Sequence, residues 1–180
     1  MTREALVAGE ALIDFIPDRH GPLAAVESFS RRAGGAPANV AVGLARLDRT
    51  PWFCTALATD AFGEHLATVL DREGIPDRFV RRVPDARTAL AFVSHSEDAD
   101  REFTFYREGT ADRRFDASGV PDEVLESVGV VGVGGGAPTG RAAPPAAVGL
   151  GQPARGAGPP GRFGPDGPPG FRVGRRDRRN

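Results

Sequence analysis

The chain has no lysine; all 23 of its basic residues are arginine. Cysteine, tryptophan, tyrosine and methionine occur once each. A single cysteine, Cys54, cannot close an internal disulfide, and no cysteine or histidine cluster has zinc-ligand spacing, which excludes disulfide-stapled and zinc-finger scaffolds. His20, His65 and His95 stand far apart without carboxylates at ligand spacing, so no metal is assigned to them. The apolar runs, of which Val128 to Val133 is among the longest, fall far short of the roughly 18 to 20 residues of a membrane-spanning helix. Met1 to Ala5 has no long apolar stretch with a cleavage site behind it, so it does not read as a signal peptide, and the expected location is cytoplasmic. A length of 180 residues accommodates one ordinary domain but not two full catalytic domains.

The formal charge of -1 conceals two unlike segments. Residues 1–136 hold 22 acids and 15 arginines, whereas residues 137–180 hold 2 acids and 8 arginines. The acidic surplus of the first segment argues against nucleic acid as its main ligand. In the second, 19 of 44 positions are glycine or proline, and Val148, Leu150, Phe163, Phe171 and Val173 are almost its sole large apolar residues. So few cannot offset about 1–2 kcal/mol of ordering entropy per residue, and disorder is expected from about Thr139. Three readings of this tail stay open. It is an arginine-bearing RNA-binding end without repeated RGG units, a linker to a partner, or a GC-rich gene translated out of frame. The last reading also accounts for the Arg/Gly/Pro/Ala mixture.

Residues 1–136 alternate between two periods. Leu6–Ala8 and Leu12–Ile16 read as strands around a Gly9-Glu10 break. From Pro37, Val40, Leu44 and Leu47 recur at helical spacing, with Ala38, Ala41 and Ala45 on a close-packing face. Trp52–Leu57 reads as a strand, and Asp60 as the N-cap of a helix through Leu66, Val69 and Leu70 that stops at Gly74. Thr88–Val93 and Glu102–Tyr106 are two strands joined by the acidic turn 97–100, and Pro121–Val128 is a short helix leading into an apolar strand that ends at Val133. This order predicts an α/β fold with a mostly parallel central sheet, flanking helices and a small extra sheet.

The chemistry concentrates in Arg32-Ala-Gly34-Gly35-Ala-Pro37-Ala-Asn39. Two glycines ahead of a helix let a ligand approach the backbone where the first N–H groups point outward, and Asn39 adds a donor and an acceptor. Such a turn suits hydroxyls or anions, or is simply a glycine turn into a helix. Asp14, inside a strand, faces either solvent or a polar ligand, and a carboxylate near Asn39 is suited to holding two sugar hydroxyls. Cys54 reads as a packing residue. The run Gly132-Val-Gly134-Gly-Gly136 lacks the helix context of a dinucleotide fingerprint.

Together, Gly9-Glu10-Ala-Leu-Ile-Asp14, Gly34-Gly35-Ala-Pro-Ala-Asn39 and Thr59-Asp60-Ala-Phe62-Gly63 resemble the motifs of the ribokinase-like, phosphofructokinase-B-type (PfkB) carbohydrate kinases. Thr59 and Ala58 replace the usual V-G of the third motif. Arg101-Glu-Phe103-Thr-Phe105-Tyr106-Arg107, followed by Ala111-Asp112, is similar to the fructokinase branch. The resemblance covers residues 4–136. It implies a ribokinase-like sheet with a small β lid, and transfer of the γ-phosphoryl group of ATP, with Mg2+, to a sugar hydroxyl. By that likeness Asp14, Gly34, Gly35 and Asn39 hold the sugar, and Phe92, Phe103 and Phe105 come from lid strands that cover it. Arg107 either reaches the substrate or pairs with Glu108 or Asp112.

The family's second signature, D-T-x-G-A-G-D, carries the catalytic base and a glycine-rich anion hole, with most ATP contacts nearby. Nothing in residues 137–180 matches it. Because phosphoryl transfer depends on positioning and electrostatics, the expectation is a truncated kinase, catalytically silent, with no catalytic residue assigned in this chain. The alternatives are a noncatalytic sugar-binding module, one that dimerises through its lid strands, or a nonfunctional product with an exposed sheet edge. Neither a membrane nor nucleic acid is expected as a partner.

Overall fold

The computed structural model describes residues 3–95, 101–134 and 147–150. Its centre is a five-stranded, all-parallel sheet. The strands, in chain order, are β1 (Ala5–Ala8), β4 (Trp52–Ala58), β5 (Val80–Val83), β8 (Val130–Gly134) and β9 (Ala147–Leu150), and their spatial order is β5-β4-β1-β8-β9. A second sheet, the lid, holds β2 (Leu12–Pro17), β3 (Phe29–Gly34), β6 (Leu90–His95) and β7 (Arg101–Tyr106) in the order β3-β2-β6-β7. The helices are α1 (Ala36–Arg46), α2 (Ala61–Arg72) and the short α3 (Asp122–Ser127).

Period-two alternation in β1 and β4 builds two apolar layers, one on each face of the central sheet. Val7, Phe53 and Leu57 pack with Ala38 and Ala41 of α1 and with Leu66 and Leu70 of α2. Leu6, Ala8, Cys54 and Ala56 pack on the other face with Phe115, Val120 and Val131. Small alanines on α1 bring that helix close to the sheet. The turn before α2 is fixed by Asp60, whose Oδ1 accepts the Gly63 N–H at 2.8 Å. A Cβ at Gly63 would overlap the Ala58 carbonyl oxygen, so the last glycine of that motif is the point where helix and strand touch.

The expected helices and apolar strands form, with three differences. Strands β3 and β5 were not expected: Phe29-Ser-Arg-Arg-Ala-Gly and Val80-Arg-Arg-Val carry paired arginines that hide the alternation. Both are edge strands, where charge is tolerated and blunts further pairing. The lid therefore has four strands rather than a single hairpin. Within the segment expected to be structureless from Thr139, Ala147–Leu150 pairs in parallel with β8, from Val131↔Ala147 to Gly134↔Leu150. Val148 and Leu150 alternate with small residues there, and the outer edge of β8 offers backbone groups to pair. The turn 97–100 and the remainder of the tail lie outside the described residues.

From β1 the chain proceeds by way of the lid and α1 to β4 on one side, and later to β8 on the other. The carboxyl ends of β1 and β8 thus form a topological switch point, where open α/β sheets place ligands.

Candidate functional site

At that switch point Gly9 turns the chain out of β1, and Glu10 and Ala11 lead it into the lid. Glu10 is 4 % exposed, and its Oε2 has no hydrogen-bond partner. An ideal Cβ on Gly134, the last residue of β8, would come within 3.1 Å of that oxygen. A buried carboxylate wedged between the ends of β1 and β8 was not singled out from the sequence. Its sole signal is a charge between the apolar runs 5–8 and 11–13.

Asp14 is half-buried on β2. A Cβ at Gly34 would overlap its carboxylate, so the side chain lies directly over the glycine backbone at the end of β3. No hydrogen bond to that carboxylate is formed among the described residues, and burial pushes its pKa above the ordinary aspartate value. Gly35 then starts α1 at φ 101°, a backbone conformation L side chains rarely adopt, and leaves the helix without a side-chain cap. Asp14, Gly34 and Gly35 are therefore one continuous feature. Asn39 is exposed in the first turn, its N–H bonded to the Gly35 carbonyl at 2.9 Å. It lines a cavity between α1 and α2 that Asp14 does not line.

Register divides the lid phenylalanines. Asp14 pairs with Ala91, and Ala91 with Phe105, so Asp14, Phe105 and Phe103 share one face of the lid. Phe103 and Phe105 stack at 5.9 Å, with Phe103 44 % exposed. Phe92 pairs with Phe15 and Thr104 and faces the other way. There it stacks on Phe15 at 4.9 Å and meets Phe29 and Tyr106 edge-on. Phe92 thus does not share the Asp14 face with the other two. Arg107 donates to Asp112 Oδ2 through Nε at 2.7 Å and also through Nη2, in a largely buried pair. Of the two readings left open for Arg107, pairing with Asp112 is the contact the structure forms.

Asp60 offers a contrast within the third motif. Beyond capping α2, it accepts the Thr88 hydroxyl at 2.5 Å and the Thr88 N–H at 2.8 Å, tying the helix to the approach of β6. Burial pushes the Asp60 carboxyl up, but the hydrogen bonds from Thr88, Gly63 and Phe62 outweigh it and hold the pKa below the usual value.

The family model for pfkB family carbohydrate kinases matches residues 2–147. The chain belongs to that family. The match runs past the expected boundary at residue 136. Over 119 residues the chain is 42 % identical to a probable chloroplastic fructokinase-6 of Arabidopsis thaliana, covering 66 % of this chain and 31 % of that protein. Among solved structures, the fructokinase of Halothermothrix orenii superposes with a TM-score of 0.65 at 30 % identity, covering 73 % of this chain and 46 % of the other. The ATP-bound fructokinase of Xylella fastidiosa superposes at 0.61 with 36 % identity, covering 73 % and 39 %. The chain thus spans less than half the length of each of these pfkB relatives. It shares their mixed α/β architecture, and among its described residues no helix is long and apolar enough to cross a membrane.

Proposed function

We propose that this chain carries the sugar-binding and lid portion of a fructokinase-like carbohydrate kinase, and that these 180 residues bind sugar without transferring phosphate. The observation that carries the reading is Asp14: a half-buried carboxylate with no partner among the described residues, laid over Gly34 beside the uncapped start of α1. A carboxylate in that state is an acceptor awaiting hydroxyl donors, and Phe103 and Phe105 on the same lid face supply an apolar cover. Asp14, Gly34, Gly35 and Asn39 are the sugar contacts in this reading, while Phe92 packs behind them.

The phosphoryl donor of the whole kinase is ATP with Mg2+ in this reading. The described residues at the carboxyl edge do not fit that donor. Their orphaned buried atom is Glu10 Oε2, an anionic acceptor rather than a donor for a triphosphate. Among the described residues, no group of three or more His, Cys, Asp or Glu could gather a metal ion. No step of the transfer is assigned to these residues. Residues 137–180 lack a D-T-x-G-A-G-D stretch, and those beyond the family match that ends at residue 147 are proposed to be the product of a shifted reading frame; the location is proposed to be cytoplasmic.

Titration of the full chain with D-fructose in a calorimeter tests the binding. Saturable heat that falls at least about tenfold in Asp14→Asn supports it, and equal affinity in the variant refutes it. ATP consumption with fructose would overturn the claim of silence. Sequencing the gene across the codons for 132–150 tests the frame, and the proposal stands if another frame restores the missing signature. A second reading, assembly through the lid, is favoured by the aromatic face of Phe15, Phe29, Phe92 and Tyr106, the last 59 % exposed. Sedimentation of the chain as a monomer that stays monomeric on concentration would dispose of it.

A further inference from the structure

We infer that the cavity between α1, α2 and the edge strand β3, which adjoins the proposed sugar contacts at Asn39, is a second binding site, for a small molecule carrying a phosphate group. Its volume is about 430 Å³, within the size range of small-molecule pockets. The cavity shares Asn39 with the proposed sugar contacts and Arg32 stands across from Asp14 on β2, but Asp14, Gly34 and Gly35 are not part of its wall, so the inference does not rest on the sugar reading.

The argument begins with charge. Residues 1–136 carry more acids than arginines, yet this wall gathers Arg31, Arg32, Arg46, Arg72 and His65 against one carboxylate, Glu73. Glu73 is already committed: Arg46 donates to it through Nε at 2.9 Å and Nη2 at 2.5 Å. Elsewhere on this surface arginines find acids, as Arg49 does with Glu4, Arg82 with Glu64 and Arg114 with Asp85. Arg31, Arg32 and Arg72 form no ion pair or hydrogen bond among the described residues.

Two of these unpaired cations, Arg31 and Arg72, converge on His65. Burial, and then the Arg31 and Arg72 guanidiniums, hold His65 below the ordinary imidazole range, so a strand arginine and a helix arginine act on the same ring. The remaining charged groups of the wall are Arg46 and Glu73, which neutralise one another, and Arg32. The cavity is therefore a positive concavity with an unmet demand for an anion, and guanidiniums meet phosphate oxygens with paired N–H donors. The inner wall is apolar, from Val42 of α1 and Leu66 and Val69 of α2, and Asn39 adds a polar handle. Charge at the mouth with an apolar floor suits a phosphorylated organic molecule better than a bare ion.

The test uses the full chain and inorganic pyrophosphate. NMR titration of the histidine rings, with His65 assigned by His65→Gln, is run with and without the probe. A bound anion favours the charged imidazole, so the His65 pKa rises on binding, and the affinity falls as salt is added. The double variant R31Q/R72Q should weaken binding about a hundredfold, roughly tenfold for each lost charge-assisted contact. R31K/R72K, which keeps the charge, should retain most of it, and Arg49→Gln should change nothing. Far-UV circular dichroism checks that each variant stays folded. An unmoved His65 pKa, equal affinity in R31Q/R72Q, or binding only of a single-stranded oligonucleotide with none of pyrophosphate, overturns the inference.

Discussion

Asp60 and Asp14 are both carboxylates set beside a glycine at the entrance to a helix, yet one is saturated with donors and the other has none among the described residues. Asp60 caps α2, grips Thr88 twice and has its pKa drawn down. Asp14 lies over Gly34 next to the uncapped α1, and burial drives its pKa up. Buried or half-buried polar groups are normally satisfied, so an engaged carboxylate reads as architecture and an idle one as a place kept for a ligand. The two glycines differ in the same way. Gly63 makes room for a backbone carbonyl, and Gly34 for a side chain.

The largest expected effect separates these glycines. Gly63→Ala drives a methyl into the Ala58 carbonyl oxygen, which cannot move aside, and should cost about 3 kcal/mol in urea unfolding. Gly34→Ala meets the Asp14 carboxylate, which can swing away, so stability should fall by less than about 1 kcal/mol while the proposed fructose binding is lost. Equal destabilisation by the two substitutions would erase the distinction.

Next in size, Asp60→Ala should cost about 2 kcal/mol, through the lost cap and the stranded Thr88 donors. Asp14→Ala should leave stability within about 0.5 kcal/mol, or raise it, because it removes an unpartnered acid.

The pH response sharpens the comparison further. Asp60, with its folded pKa lowered from 3.8, stabilises the fold above that value and loses the contribution as pH falls through its folded pKa. Asp14, with its folded pKa raised from 3.8, has the opposite sign: its contribution is present below 3.8 and lost as pH rises through the folded value. Thermal melts between pH 3 and 7 should therefore show a shallower acid-side loss in Asp60→Asn and a steeper one in Asp14→Asn. The smallest effect concerns Cys54, buried in β4, whose thiol is pushed up to about 12, first by burial and then by Asp116. It should stay silent to a thiol reagent at pH 8 until the chain unfolds.

The body of the fold was legible because its strands and helices are apolar with a clear period, as in Leu6–Ala8, Trp52–Leu57 and Val40–Leu47. The lid edge at Arg31-Arg32 and the sheet edge at Arg81-Arg82 were not, since a strand bonded on one side alone needs little apolar patterning. Within the site, Asp14 and the two glycines could be found from motif and turn chemistry. The burial of Glu10 could not, because it depends on Gly134 arriving from far along the chain. Nor could the face occupied by Phe92, since alternation within β6 says which residues share a side but not which side holds Asp14; the pairing of Asp14 with Ala91 decides that. Thr88 reaches Asp60 across 28 positions, a contact for which neither residue carries a local signal.

Central strand β1 pairs on one side with β4 and on the other with β8, and these partners lie far apart along the chain. During synthesis, β4 emerges about 75 residues before β8 is complete. At roughly 5–20 residues per second, that interval lasts several seconds. For that time the nascent polypeptide presents one open flank of its innermost strand to the crowded surroundings of the ribosome. The pairing Leu6↔Val131 therefore sets when, as well as how, the newborn chain becomes safe from its neighbours.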